Sequence, residues 1–92
     1  MEVTVWFLGP LARFVGSDKV RFPLAEGATY GDLLDAIGRR FGPMLHERIW
    51  DHGSNDFKAQ ILVVGTGRDH GDREVPLLDD EQIKIIPFLP GG

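Results

Sequence analysis

The residues that point most directly to chemistry are the last four, Leu89-Pro90-Gly91-Gly92, which follow the apolar run Ile85-Ile86-Pro87-Phe88. Most domains finish in a few loose polar residues; this sequence places two glycines a few positions beyond a strand. The group so presented is the carboxylate of Gly92. Four extended residues carry it about 13 Å beyond a sheet, and glycines, lacking Cβ, can thread a narrow channel and take the dihedrals an active site imposes. A free carboxylate is a poor electrophile because its charge is delocalised, so a partner must first convert it to an acyl-adenylate before a nucleophile can attack. The sequence has no phosphate-binding loop, so the ATP for that step belongs to the partner and the chain itself is expected to bind no cofactor.

The other candidate constellations fail on spacing. His46-Glu47-Arg48-Ile49-Trp50 begins like a zinc-protease helix, but Trp50 stands where the second histidine must be. His46, His52 and His70 share no ligand spacing, and no metal site is expected. Gly65-Thr66-Gly67 follows a strand, yet His70 replaces the third glycine of a dinucleotide fingerprint and no helix pattern follows. Neither Ser17 nor Ser54 sits in a nucleophile elbow. Asp79-Asp80-Glu81 are consecutive and read as a solvated turn, not as an acid/base pair flanking a bond. With no cysteine in the sequence, disulfides, thiolate metal sites and a cysteine nucleophile are excluded.

Positioning the tail requires a sheet. Val3, Val5 and Phe7 alternate with Thr4, Trp6 and Leu8 before Gly9-Pro10, giving a central strand apolar on both faces. A loop from Leu11 to Ser17 leads to a second strand, Lys19 to Leu24, with Val20, Phe22 and Leu24 inward and Pro23 marking an edge. Thr29 followed by Asp32 marks a helix start, and Leu33, Leu34, Ile37 and Phe41 form one apolar stripe ending at Gly42-Pro43. Met44 to Trp50 has room for a helical turn or two, and Asp51 to Asp56 is a polar loop. Ile61-Leu62-Val63-Val64 reads as a strand buried on both faces, Val75 to Leu78 as a weak strand, and Gln82 to Phe88 as the last strand. The expected core comprises Val3, Val5, Phe7, Val20, Phe22, Leu33, Ile37, Phe41, Ile61, Val63, Ile83 and Ile85. If Ile83 and Ile85 point inward, Ile86 and Phe88 lie on the opposite face beside the tail's root. There they form a partner-binding patch, with acidic residues steering a basic groove.

At 92 residues, 42% hydrophobic and 26% charged, the composition is that of one globular domain spanning residues 1–92. The formal net charge of -4 repels phosphate backbones, so nucleic acid is not expected as a partner. No apolar run reaches the roughly 18 residues of a membrane span, and Met1-Glu2-Val3 lacks the basic start of a signal peptide, so a soluble cytoplasmic protein is expected, without a membrane partner.

The order of elements and the tail together resemble the MoaD/ThiS family of ubiquitin-like sulfur carriers. The stretch that carries the resemblance runs from Pro76 to Gly92: leucines, the acidic turn Asp79-Asp80-Glu81, a strand, proline and the Gly-Gly end. Gly27-Ala28-Thr29-Tyr30-Gly31-Asp32-Leu33-Leu34 is similar to the family's helix start, and Leu11 to Gly16 to the loop after its first strand. Two departures are Gly65-Thr66, where Asn-Gly is frequent, and Pro90, where a small residue is common. The resemblance implies an α+β, ubiquitin-like β-grasp fold with a mixed sheet of four to five strands covered by one main helix, and 89–92 as an extended tail. It also implies a non-catalytic role in which an adenylating, ubiquitin-activating-like enzyme activates Gly92, a thiocarboxylate forms there, and sulfur passes to an acceptor such as the large subunit of molybdopterin synthase. Sulfur delivery to thiamine, cysteine or tRNA, conjugation of Gly92 to lysines as a protein modifier, and a regulatory domain with an inert tail are the alternatives.

Overall fold

The computed structural model describes residues 1–58, 61–65, 68–69 (backbone only) and 72–87. Its first strand, β1 (Glu2–Phe7), pairs antiparallel with β2 (Lys19–Pro23), Val3 opposite Phe22 and Val5 opposite Val20. The last strand, β7 (Gln82–Pro87), lies parallel to β1 on its other side, with Val5 opposite Ile83 and Phe7 opposite Ile85. β5 (Ile61–Gly65) pairs antiparallel with β7, and the short β6 (Arg68–Asp69) adds to β5, giving the order β2-β1-β7-β5-β6. This mixed five-stranded sheet with one principal helix is the architecture the resemblance implied.

The helix that covers it, α2 (Tyr30–Phe41), is fixed at its start by a capping box. Asp32 Oδ2 accepts from the Thr29 N–H at 2.9 Å and Thr29 Oγ1 from the Asp32 N–H at 3.3 Å, so two donors that have no partner within the helix are satisfied. Leu33, Leu34 and Ile37 are fully buried and Phe41 meets Phe7 and Phe22 edge-on, with ring centroids 5.8 and 6.2 Å apart. All twelve residues expected in the core are buried.

Five local readings are corrected. Leu11–Val15 forms a single helical turn, α1, in place of a loop; Leu11 and Val15, four apart, both bury, and Gly16 closes the turn in the left-handed conformation at φ 83°. Met44 to Trp50 keeps within the turn or two its length allowed: the 3-10 turn Gly42–Met44 is followed by one turn in which the His46 carbonyl accepts from the Ile49 and Trp50 N–H groups. Leu45 is extended, and Trp50 enters a two-stranded hairpin, β3 (Trp50–Asp51) with β4 (Asp56–Phe57). That hairpin, built where a polar loop was expected, buries Trp50 against Phe57, with ring centroids 4.8 Å apart. Val75 to Leu78 makes one bridge, Pro76 to Thr29, and no strand. In the acidic turn, Asp79 and Asp80 are exposed but Glu81 is buried, its carboxylate accepting from the Leu78 N–H at 2.8 Å. Finally, β5 is buried on one face only: Ile61 and Val63 turn inward, while Leu62 is 50% exposed, with none of the described residues layered over the sheet's outer side.

Arg73 ties the hairpin to the helix. One guanidinium nitrogen donates to Asp35 Oδ1 at 2.9 Å and to the Gly31 carbonyl at 3.3 Å, the other to the Asn55 carbonyl at 3.1 Å. Gly38 permits this approach, since a Cβ there would lie 2.9 Å from Asn55 Oδ1.

Candidate functional site

β7 divides its side chains between the two faces as the spacing predicts. Ile83 and Ile85 are fully buried under the helix; Gln82, Lys84 and Ile86 point the other way. Ile86 is half-buried and lies directly opposite Leu62 of β5, and Val64, two residues along β5 from Leu62, shares their face. Phe88, Leu89, Pro90, Gly91 and Gly92 lie outside the described residues.

Lys84 stands opposite Val64 and Trp6, and Lys19 Nζ lies 5.2 Å from the centre of the Trp6 ring, whose Nε1–H donates to Gln82 Oε1 at 2.8 Å. Of the acidic residues near this sheet, Glu2 and the turn residue Asp80 gather around Arg21 at the opposite end, 2.8 and 3.8 Å from its guanidinium, while Asp69 of β6 holds the register position opposite Val64. Among the described side chains, Ile86 shares its face with Leu62, Val64, Trp6 and the two lysines.

Pro87, the last described residue before the tail, is held from two sides. It pairs with Ile61 across β7 and β5, and Gly9 neighbours it, a Cβ there meeting Pro87 Cγ at an ordinary contact distance of 3.5 Å. Gly9 sits at φ 59°, where L side chains are strained, which lets the chain turn tightly over the proline. On its far side Pro87 forms a wall of a cleft of about 520 Å³, together with Leu11 and Phe14 of α1, Ile49, His46 and Arg48. Phe14 is 38% exposed. His46 Nδ1 accepts from the Arg48 N–H at 3.0 Å, and the His46 carbonyl accepts from the Ile49 and Trp50 N–H groups, so one residue shapes the turn that forms the opposite wall.

Sequence reasoning placed Ile86 and overlooked Leu62, Phe14 and Arg48. The signal for Leu62 was the unbroken run Ile61 to Val64, in which alternation cannot say which face is covered. Phe14 was legible as an apolar residue off the Leu11/Val15 stripe; Arg48 carried none.

Among the described residues two ionisable groups are clearly displaced. Burial, reinforced by Asp56 and opposed by Arg73, raises the Tyr30 phenol well above its usual range, and the Gly53 N–H leads the contacts that hold Asp51 below the usual carboxylate range. Among the described residues no group of three or more His, Asp or Glu is placed to hold a metal ion, and no helix is long and apolar enough to cross a membrane.

Solved structures share this fold throughout. SAMP1, the small archaeal modifier protein 1 of Haloferax volcanii, superposes with a TM-score of 0.82 at 24% identity over 100% of both chains. A protein described as molybdopterin converting factor, subunit 1, from Pyrococcus furiosus gives 0.73 at 21% identity, covering 97% of this chain and 99% of its own. A chain of the BexX/CysO complex from Amycolatopsis orientalis gives 0.66 at 23%, covering 98% and 99%. No protein-family model matches the sequence, and no curated protein does. The fold is thus the ubiquitin-like β-grasp.

Proposed function

We propose that this chain is a sulfur carrier that works through the carboxylate of Gly92. An adenylating partner couples that carboxylate to the AMP portion of ATP, releasing pyrophosphate; a sulfur nucleophile then displaces AMP, and the resulting thiocarboxylate donates its sulfur to an acceptor enzyme. The chain catalyses none of these steps and binds no cofactor of its own. The acceptor we favour is the large subunit of molybdopterin synthase, in keeping with the description of the Pyrococcus furiosus neighbour. The observation that carries the reading is β7 itself, whose outer residues Lys84 and Ile86 are exposed and half-buried with no described layer over them, and which ends at Pro87, five residues before Gly92. Residues 1–87 are the body that presents the tail, Leu89 to Gly91 its slender stem, and Ile86 with Phe88 the docking patch at its base.

A second reading is favoured by the Haloferax volcanii neighbour, whose name is that of a modifier. In it the same adenylate is attacked by a lysine of another protein and Gly92 ends in an amide. Intact mass after incubation with ATP, an adenylating enzyme and a sulfur donor separates the two. Exchange of one oxygen for sulfur on the intact chain, lost when Gly92 is deleted, is the carrier's result. Amide-linked adducts without sulfur gain are the modifier's, and equal loading of the chain lacking Gly92 overturns both, because one residue is about 3.4 Å and no near-attack geometry tolerates that displacement.

A further inference from the structure

In the sheet order β2 is an outermost strand, bonded to β1 on one side only. Which of its backbone groups face outward follows from the ladder. The Leu24 N–H donates to the Met1 carbonyl and the Phe7 N–H to the Asp18 carbonyl, so in the β1–β2 register the bonded pairs are Val3 with Phe22 and Val5 with Val20. Lys19, Arg21 and Pro23 therefore turn their backbone groups away from β1, to the edge. A row of open N–H and C=O groups there is a template for pairing with another chain, and a second copy is the partner always at hand.

Little of that template is left open. Ser17 Oγ donates to the Lys19 carbonyl at 2.9 Å and accepts from the Lys19 N–H at 3.3 Å, so one hydroxyl occupies both groups. Arg40, in the last turn of α2, donates from Nη1 to the Arg21 carbonyl at 3.5 Å. Two rings hold its guanidinium in place, with centres 5.6 Å away for Phe22 and 5.1 Å for Phe41. Pro23 has no N–H to offer. None of the three outward residues thus keeps both an N–H and a C=O open, which an antiparallel bonded pair needs. We propose that Ser17, Pro23 and Arg40 together form an edge lock that keeps β2 from pairing with a second copy of this chain. The inference is independent of the carrier reading, since it concerns the strand separated from β7 by β1 and holds whatever becomes of Gly92.

The test is the oligomeric state of the full-length chain and of a variant carrying Ser17→Ala, Pro23→Val and Arg40→Met, read by light scattering and amide exchange. Arg40→Met keeps an apolar stem over the two rings and removes the donor, while Pro23→Val restores an N–H with a residue suited to a strand. The unaltered chain is expected to stay monomeric up to about 1 mM, with the Arg21 N–H exchanging faster than those of Val20 and Phe22. The variant is expected to dimerise with a Kd of about 100 μM or below, and the dimer to slow exchange of the Arg21 N–H by about tenfold or more. If the triple variant does not fold, Pro23→Val with Arg40→Met leaves the Ser17 turn intact and is read in the same way. The lock is overturned by an Arg21 N–H already protected in the unaltered chain, by a folded variant that stays monomeric at about 1 mM, or by a dimer whose newly protected amides lie outside β2.

Discussion

On the inner face of the sheet, Val3, Val5, Phe7, Ile83 and Ile85 are fully shielded, with α2 laid across them. On the outer face the same strands present Trp6, Lys84 and Ile86, β5 adds Leu62 at half exposure, and no described layer lies over them. Both faces hold large apolar residues, so hydrophobicity alone does not separate them. What separates them is company. Inner residues belong to one contiguous apolar cluster and can be mutually optimised for packing, whereas the outer ones alternate with lysines. The inner face should account for stability and the outer face for recognition.

The largest effect is expected where the inner face is broken. Ile37→Ala removes buried methyl groups from the centre of α2 and should cost about 2–5 kcal/mol in urea unfolding. Ile86→Glu should do the reverse, holding stability within about 1 kcal/mol while weakening the adenylating partner by about tenfold, as read by titration; an unchanged affinity would remove the outer face from recognition. Thr29→Ala cuts the capping box and should lower stability by about 1 kcal/mol without touching partner affinity, a check that loosening the cover does not mimic loss of the docking patch. The gentlest probe is alkali. Tyr30 is the only tyrosine, so its absorbance reports one site. Its folded pKa is raised above the unfolded value of about 10, so its contribution is fully present below that pH and is lost as pH rises towards the folded value. In the folded chain the phenol should ionise at higher pH than in denaturant, and Tyr30→Phe should flatten that part of the stability curve.

The inner face was almost wholly legible in the sequence, because period-2 strands and a capped period-3.6 stripe leave few ways to pack. Val3, Val5 and Phe7 against Leu33 and Ile37 follow from that pattern alone. Less legible were the features set by what is missing or distant. Leu62 looked buried because its neighbours are apolar; its exposure depends on the absence of a second layer. Glu81 looked solvated within an acidic triplet, but the Leu78 N–H lies within its reach and it folds inward. The cleft combines residues 10–14, 46–49 and 87, and no local spacing unites segments that far apart. The chemistry read into Gly92 lies outside the described residues and stands as the proposal above.

The parallel pairing of β1 with β7 has a mechanical consequence. The first and last strands of the fold lie side by side and run in the same direction, from Thr4 opposite Gln82 to Phe7 opposite Ile85. Tension applied between the start of β1 and the end of β7 therefore shears their shared hydrogen bonds all at once, where an antiparallel terminal pair would unzip them one by one. Load along that line is thus shared across the β1–β7 ladder, which suits a body proposed to be held by its C-terminal end.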